Sequence, residues 1–75
     1  MRDSKLVNQI WDKIHHRVLD ISSGNVFELS CYKEREFDKM ISLQNKNYDY
    51  YKEFSSHTEK VEVGGDIYYW TVYYR

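Results

Sequence analysis

"VEVGGDIYYWTVYYR", residues 61 to 75, decides how this chain folds. Gly64-Gly65 stands between two runs rich in Val, Ile, Thr, Tyr and Trp, residue types that suit a pleated, half-buried surface. A two-residue hairpin loop of the primed kind needs φ > 0 at both central positions, which glycine adopts without a Cβ clash. The glycine pair therefore predicts a β-hairpin, and so tight a turn fixes its register. Counting outward, Val63 faces Asp66, Glu62 faces Ile67, Val61 faces Tyr68, Lys60 faces Tyr69, Glu59 faces Trp70 and Thr58 faces Thr71.

Side chains alternate along a strand, so the hairpin has two faces. One carries Val61, Val63, Tyr68, Trp70, Val72 and Tyr74, and is expected to cover the core. The other carries Thr58, Lys60, Glu62, Ile67, Tyr69, Thr71, Tyr73 and Arg75. A one-residue slip would exchange the faces, and the match of Val61 and Val63 with Trp70 and Val72 opposes it. The second face is expected to meet solvent as a contact surface. Tyr69, Thr71 and Tyr73 form its row, with Lys60, Glu62 and Arg75 at the rim. Tyrosine offers a large area, few rotamers to freeze and a hydroxyl that tolerates water. Strand propensity alone also favours Tyr and Thr here, and a second helix covering this face would turn the row into core.

Upstream, Leu6, Val7, Ile10, Trp11, Ile14, Val18 and Ile21 recur at helical spacing and predict an amphipathic helix over 4–21. Asp3 or Ser4 is its expected N-cap, and Gly24 in "SSGN" its stop. "NVFELSCY" alternates, with Phe27, Leu29 and Cys31 expected on a buried face. "KEREFDKMISLQ" returns to helical spacing through Phe37, Met40, Ile41 and Gln44. A second helical piece is expected from about Asn47, with Tyr48, Tyr51 and Phe54 inward and Tyr50 outward, where Tyr50 would join the contact surface. The expected architecture is one α+β domain over residues 1–75. Its order is α-β-α-β-β, with the first helix packed on a small three-stranded antiparallel or mixed sheet that ends in the hairpin. The final strand is a candidate sheet edge, through which two copies would pair as a homodimer.

Composition narrows function. The formal net charge is −1, with 11 basic residues scattered among 12 acidic ones, a poor footprint for a duplex-binding protein. Cys31 is the single cysteine, which excludes an internal disulfide and suits a reducing compartment. Charges in "MRDSKLVNQIWDK" interrupt any apolar leader, no run is long enough for a membrane span, and a cytoplasmic location is expected. The chain has no Ala and no Pro and is rich in residues with A/T-rich codons, a skew expected of a low-GC bacterium or its phages.

Chemistry is thinly represented. Asp12, His16 and Asp20 share a helix face, but a metal site wants further ligands, and the expected role is a solvated surface. His15 and His16 diverge from one another on a helix. Ser55 and His57 lack an orienting acid, and Cys31 on an apolar strand face is expected to act as a small hydrophobe. No catalytic residue, cofactor or metal is expected.

These readings converge on a small non-enzymatic protein-binding module. Composition and size suggest a phage or mobile-element inhibitor that occludes a host protein through Tyr69, Tyr73 and Tyr50. The alternatives are a single-stranded nucleic-acid binder stacking bases on the tyrosine face, with Lys60 and Arg75 on phosphate, and a self-associating structural protein.

Overall fold

The computed structural model describes residues 4–75. Helix α1 (Ser4–Ser22) leads into strand β1 (Val26–Lys33). A 3-10 turn (Glu34–Glu36), helix α2 (Phe37–Lys46) and the single-turn α3 (Tyr48–Tyr51) follow. Strands β2 (Ser55–Val63) and β3 (Asp66–Tyr74) close the chain. The α+β class and the order α-β-α-β-β are those implied by the sequence. The cap expected from Asp3 or Ser4 rests on side chains outside the described residues.

The hairpin register matches the count from the turn. Val63 pairs with Asp66 and Thr58 with Thr71, and the ladder runs on to Ser55 opposite Tyr74. Gly64 and Gly65 hold φ of 59° and 84°, the left-handed values the turn requires. The sheet is antiparallel with strand order β1-β3-β2. The last strand is therefore central, and the expectation that it forms an edge is corrected: β1 pairs along its free side.

α1 lies on the expected core face. Ile10, Ile14 and Val18 project from one stripe of the helix onto Val63, Tyr68, Trp70 and Val72. At its end the buried Ser22 hydroxyl donates to the Val18 carbonyl at 2.7 Å and accepts from Gly24 N–H at 3.2 Å, and Ser23 and Gly24 turn the chain with positive φ.

The opposite face is where sequence and structure part. α2 and α3 cover it. Met40 is buried, Phe37 packs on Tyr69 with ring centroids 4.5 Å apart, and Tyr51 stacks on Tyr73 at 4.1 Å and 14°. Thr71 is 0 % exposed and Tyr73 5 %. β3 is thus enclosed on both sides in a three-layer arrangement. Such a strand reads as a nearly continuous apolar and aromatic run rather than an alternation.

Several local expectations are corrected with it. A bulge between Val26 and Glu28 shifts the β1 register, and Phe27 turns from the Leu29 side to stack on Phe54 at 4.0 Å. Cys31 is exposed, because α1 crosses β2 and β3 more than β1. Ile41 lies at the margin of α2 and is exposed. Asn47, at φ −104° and ψ 26°, leaves helical geometry between α2 and α3, while its backbone and side-chain amides both donate to the Leu43 carbonyl. Of the three residues expected inward, Tyr51 and Phe54 are half-buried, and Tyr48 is corrected to the surface at 66 % exposed.

Candidate binding surfaces

The residues expected to form one contact surface fall in three places. Thr71 and Tyr73 lie buried under α2 and α3, which overturns their expected exposure, while Tyr69 is half-buried against Phe37. The Thr71 hydroxyl sits 2.8 Å from that of Thr58, donates to Met40 Sδ at 3.6 Å and accepts from Gln44 Nε2 at 3.4 Å. One hydroxyl thereby ties α2 to two strands. Lys60 and Glu62 stay exposed on β2, with Lys60 Nζ 5.9 Å from the Tyr69 ring centre. Tyr50 and Arg75 stand apart from these, at the far end of the sheet.

That end carries an aromatic patch. Phe27 and Phe54 stack nearly parallel at 13°, Tyr50 tilts onto Phe27 at 5.9 Å, and the Arg75 guanidinium lies 5.3 Å over the Phe54 ring. Tyr50 is 58 % exposed and Phe27 44 %. Below them Tyr50 meets Tyr51 edge-on at 4.8 Å, and Tyr51 is the ring stacked on Tyr73. Tyr50 thus stands on a column made of the half-buried Tyr51 and the buried Tyr73, and Phe27 and Phe54 join it through Tyr50. The Tyr51 hydroxyl donates to Glu28 at 2.6 Å, and this bond to a carboxylate holds its pKa well above the usual phenol range. Arg75 also approaches Glu53 at 3.7 Å and Lys52 approaches Asp49 at 3.7 Å, so charge around the patch is balanced. Sequence reasoning missed Phe27 and Phe54 because the bulge that redirects Phe27 leaves no mark in "NVFEL".

On the α1 side, a groove of about 550 Å³ opens between the first half of α1 and β1. Val7, Trp11, Leu29 and Cys31 line it, with Lys33 and Glu36 at the rim. The walls partly desolvate the Cys31 sulfur and push its pKa up, which disfavours the reactive thiolate.

The other titratable cluster is structural in form. Arg17 donates through Nε and Nη2 to Glu59 Oε1 at 2.9 and 2.8 Å, and His57 Nε2 lies 2.7 Å from the same oxygen. Those bonds, Arg17 first, hold the Glu59 pKa low. Glu59 is committed to Arg17 on α1 and His57 on β2, and among the described residues no nucleophile joins them. Among the described residues, no group of three or more His, Cys, Asp or Glu is placed to hold a metal ion. None of the described helices is long and apolar enough to cross a membrane.

The chain matches no protein-family model, and no curated protein or solved structure is similar to it. Function has to be argued from these surfaces.

Proposed function

We propose that this chain is a non-enzymatic protein-binding module that works in the cytoplasm and engages its partner through the Phe27–Phe54–Tyr50 patch, with Arg75 at the rim. The observation that carries the reading is the support beneath the patch. Exposed rings that lie loose on a surface lose rotamer entropy on binding, whereas here Phe27 and Phe54 stack on each other and Tyr50 sits between Phe27 and Tyr51, whose ring is stacked on Tyr73, so the three hold one another in position. Preset aromatic anchors beside an arginine have the composition of an interface hot spot. The inhibitor role expected from composition would use this same surface by occlusion, in place of the Tyr69–Tyr73 row.

The balanced charges argue for a protein partner over single-stranded nucleic acid, because Glu53 and Asp49 accompany each nearby cation. Tagged protein and its Tyr50→Ser/Phe54→Ser variant, used as paired baits, test the reading. A protein captured by the first and lost from the second, with capture persisting from low to physiological salt, supports it. Equal capture by both refutes the patch. A steep fall with salt, together with recovered oligonucleotide, refutes the protein partner.

A further inference from the structure

The two edges of the sheet are finished differently. The Gly64-Gly65 turn makes Val63 and Asp66 a hydrogen-bonded pair, and every second pair outward from it is hydrogen-bonded too. On β3, Tyr68, Trp70 and Val72 therefore direct their backbone groups to β2, and Tyr69, Thr71 and Tyr73 direct theirs to β1. Their partners on β1 are Tyr32, Ser30 and Glu28. The N–H and C=O groups of Leu29, Cys31 and Lys33 point outward.

The outer edge of β2 is protected. Lys13 reaches from α1 and donates to the outward carbonyl of Glu62 at 2.8 Å, and Glu59, Lys60 and Glu62 place charges along the strand. Charged side chains and occupied carbonyls keep an edge from pairing with another chain. β1 has neither over "LSCY", residues 29 to 32, and no described strand pairs with its outer side. Its outward rim instead borders the groove lined by Val7, Trp11, Leu29 and Cys31.

We propose that β1 is a dimerisation edge. Two copies pair β1 with β1, antiparallel about a two-fold axis, and join their sheets into one, with apolar side chains of each strand entering the groove of the other copy. Two constraints fix the parity of the register. Opposed residues must point to the same face, and outward backbone groups must meet outward groups, so odd-numbered residues face odd-numbered ones. With the axis on Ser30, Leu29 faces Cys31 of the second copy, Glu28 faces Tyr32 and Phe27 faces Lys33. This register matches apolar with apolar on the groove side, offers the Glu28 carboxylate a tyrosine hydroxyl, and opposes no like charges.

Edge pairing of one short strand falls well below a standard interface, so a weak, reversible dimer is expected. Sedimentation velocity from about 1 µM to about 1 mM should show reversible dimerisation. Amide exchange on the unaltered protein should slow about tenfold at Leu29 and Cys31 across that range and stay constant at Thr58 and Lys60 on β2. Cys31→Lys, a change at an exposed position, should abolish the dimer and leave the far-ultraviolet spectrum unchanged. Ser30→Cys combined with Cys31→Ser should cross-link readily, since the two introduced thiols would face each other across the axis with Cα atoms about 4.5 Å apart. A monomer throughout the range overturns the proposal. So does a dimer that protects the β2 amides, or one that survives Cys31→Lys but is lost in Tyr50→Ser/Phe54→Ser. That last variant leaves β1 intact, so loss of partner capture and loss of the dimer report separately on the aromatic patch and the edge.

Discussion

The two faces of β3 are built from different materials. Towards α1 the strand offers Tyr68, Trp70 and Val72 to Ile10, Ile14 and Val18, and the contact is almost wholly apolar. Towards α2 and α3 it offers Tyr69, Thr71 and Tyr73, and the partners are Phe37, Met40, Gln44 and Tyr51. Here polar groups that are exposed, half-buried or, for Thr71, buried sit among the rings and find each other: Thr58 with Thr71, Tyr51 with Glu28. No buried side-chain nitrogen or oxygen among the described residues lacks a partner. A face can therefore look like surface in composition and still be core, provided a covering element supplies the matching donors and acceptors.

If both faces are core, damage to either should unfold the protein. Trp70→Ala is expected to have the largest effect, about 3–5 kcal/mol, since it empties the largest enclosed side chain of the α1 face. For a domain this small that corresponds to more than about 15 °C in thermal midpoint, or loss of a cooperative transition. Tyr69→Ser with Tyr73→Ser should follow at about 2–4 kcal/mol, read by calorimetry or thermal circular dichroism. An unchanged midpoint in that double variant would mean that the row meets solvent after all and that α2 and α3 are not a true covering layer.

The legible and illegible parts of the fold divide along the same line. The α1 face could be read because both partners carry regular signals, an i, i+4, i+8 stripe in Ile10, Ile14 and Val18 and a turn whose two glycines admit one register. The second face could not, because its cover is built from short pieces. α2 contributes one fully buried residue, Met40, and α3 is a single turn set by the Asn47 interruption. Neither has enough periodicity to announce a face. The usable signal was in β3 itself: "IYYWTVYY", residues 67 to 74, places no charged residue on either face, which fits a strand enclosed twice better than one with a wet face. Of the residues read as a contact surface, Tyr50 and Arg75 do lie together, but what joins them is the Phe27–Phe54 stack. That stack depends on a bulge, and a bulge is a tertiary choice.

The smallest expected effects come from charge, and they separate the faces by pH. On the second face Tyr51→Phe removes a bond to a carboxylate from a half-exposed site and should lower stability by about 1 kcal/mol at neutral pH. The Tyr51 pKa is raised in the fold, so this contribution is complete below the unfolded value of about 10 and is lost as pH rises beyond it. The gap in midpoint between unaltered protein and Tyr51→Phe should accordingly be full at neutral pH and close in alkali. On the α1 side the sign reverses. Glu59 is held below its ordinary pKa by Arg17 and His57, so its contribution is present above about pH 4.3 and is lost as pH falls through the lowered value. Glu59→Gln should lower the midpoint by only a few degrees at neutral pH, as befits a pair with Arg17 largely in water, and by nothing near pH 2. Thermal scans of the three proteins from acid to alkali would show two gaps that close at opposite ends. Should both close at the same end, the two hydrogen-bond networks do not carry the charges assigned to them, and the contrast between the faces reduces to packing alone.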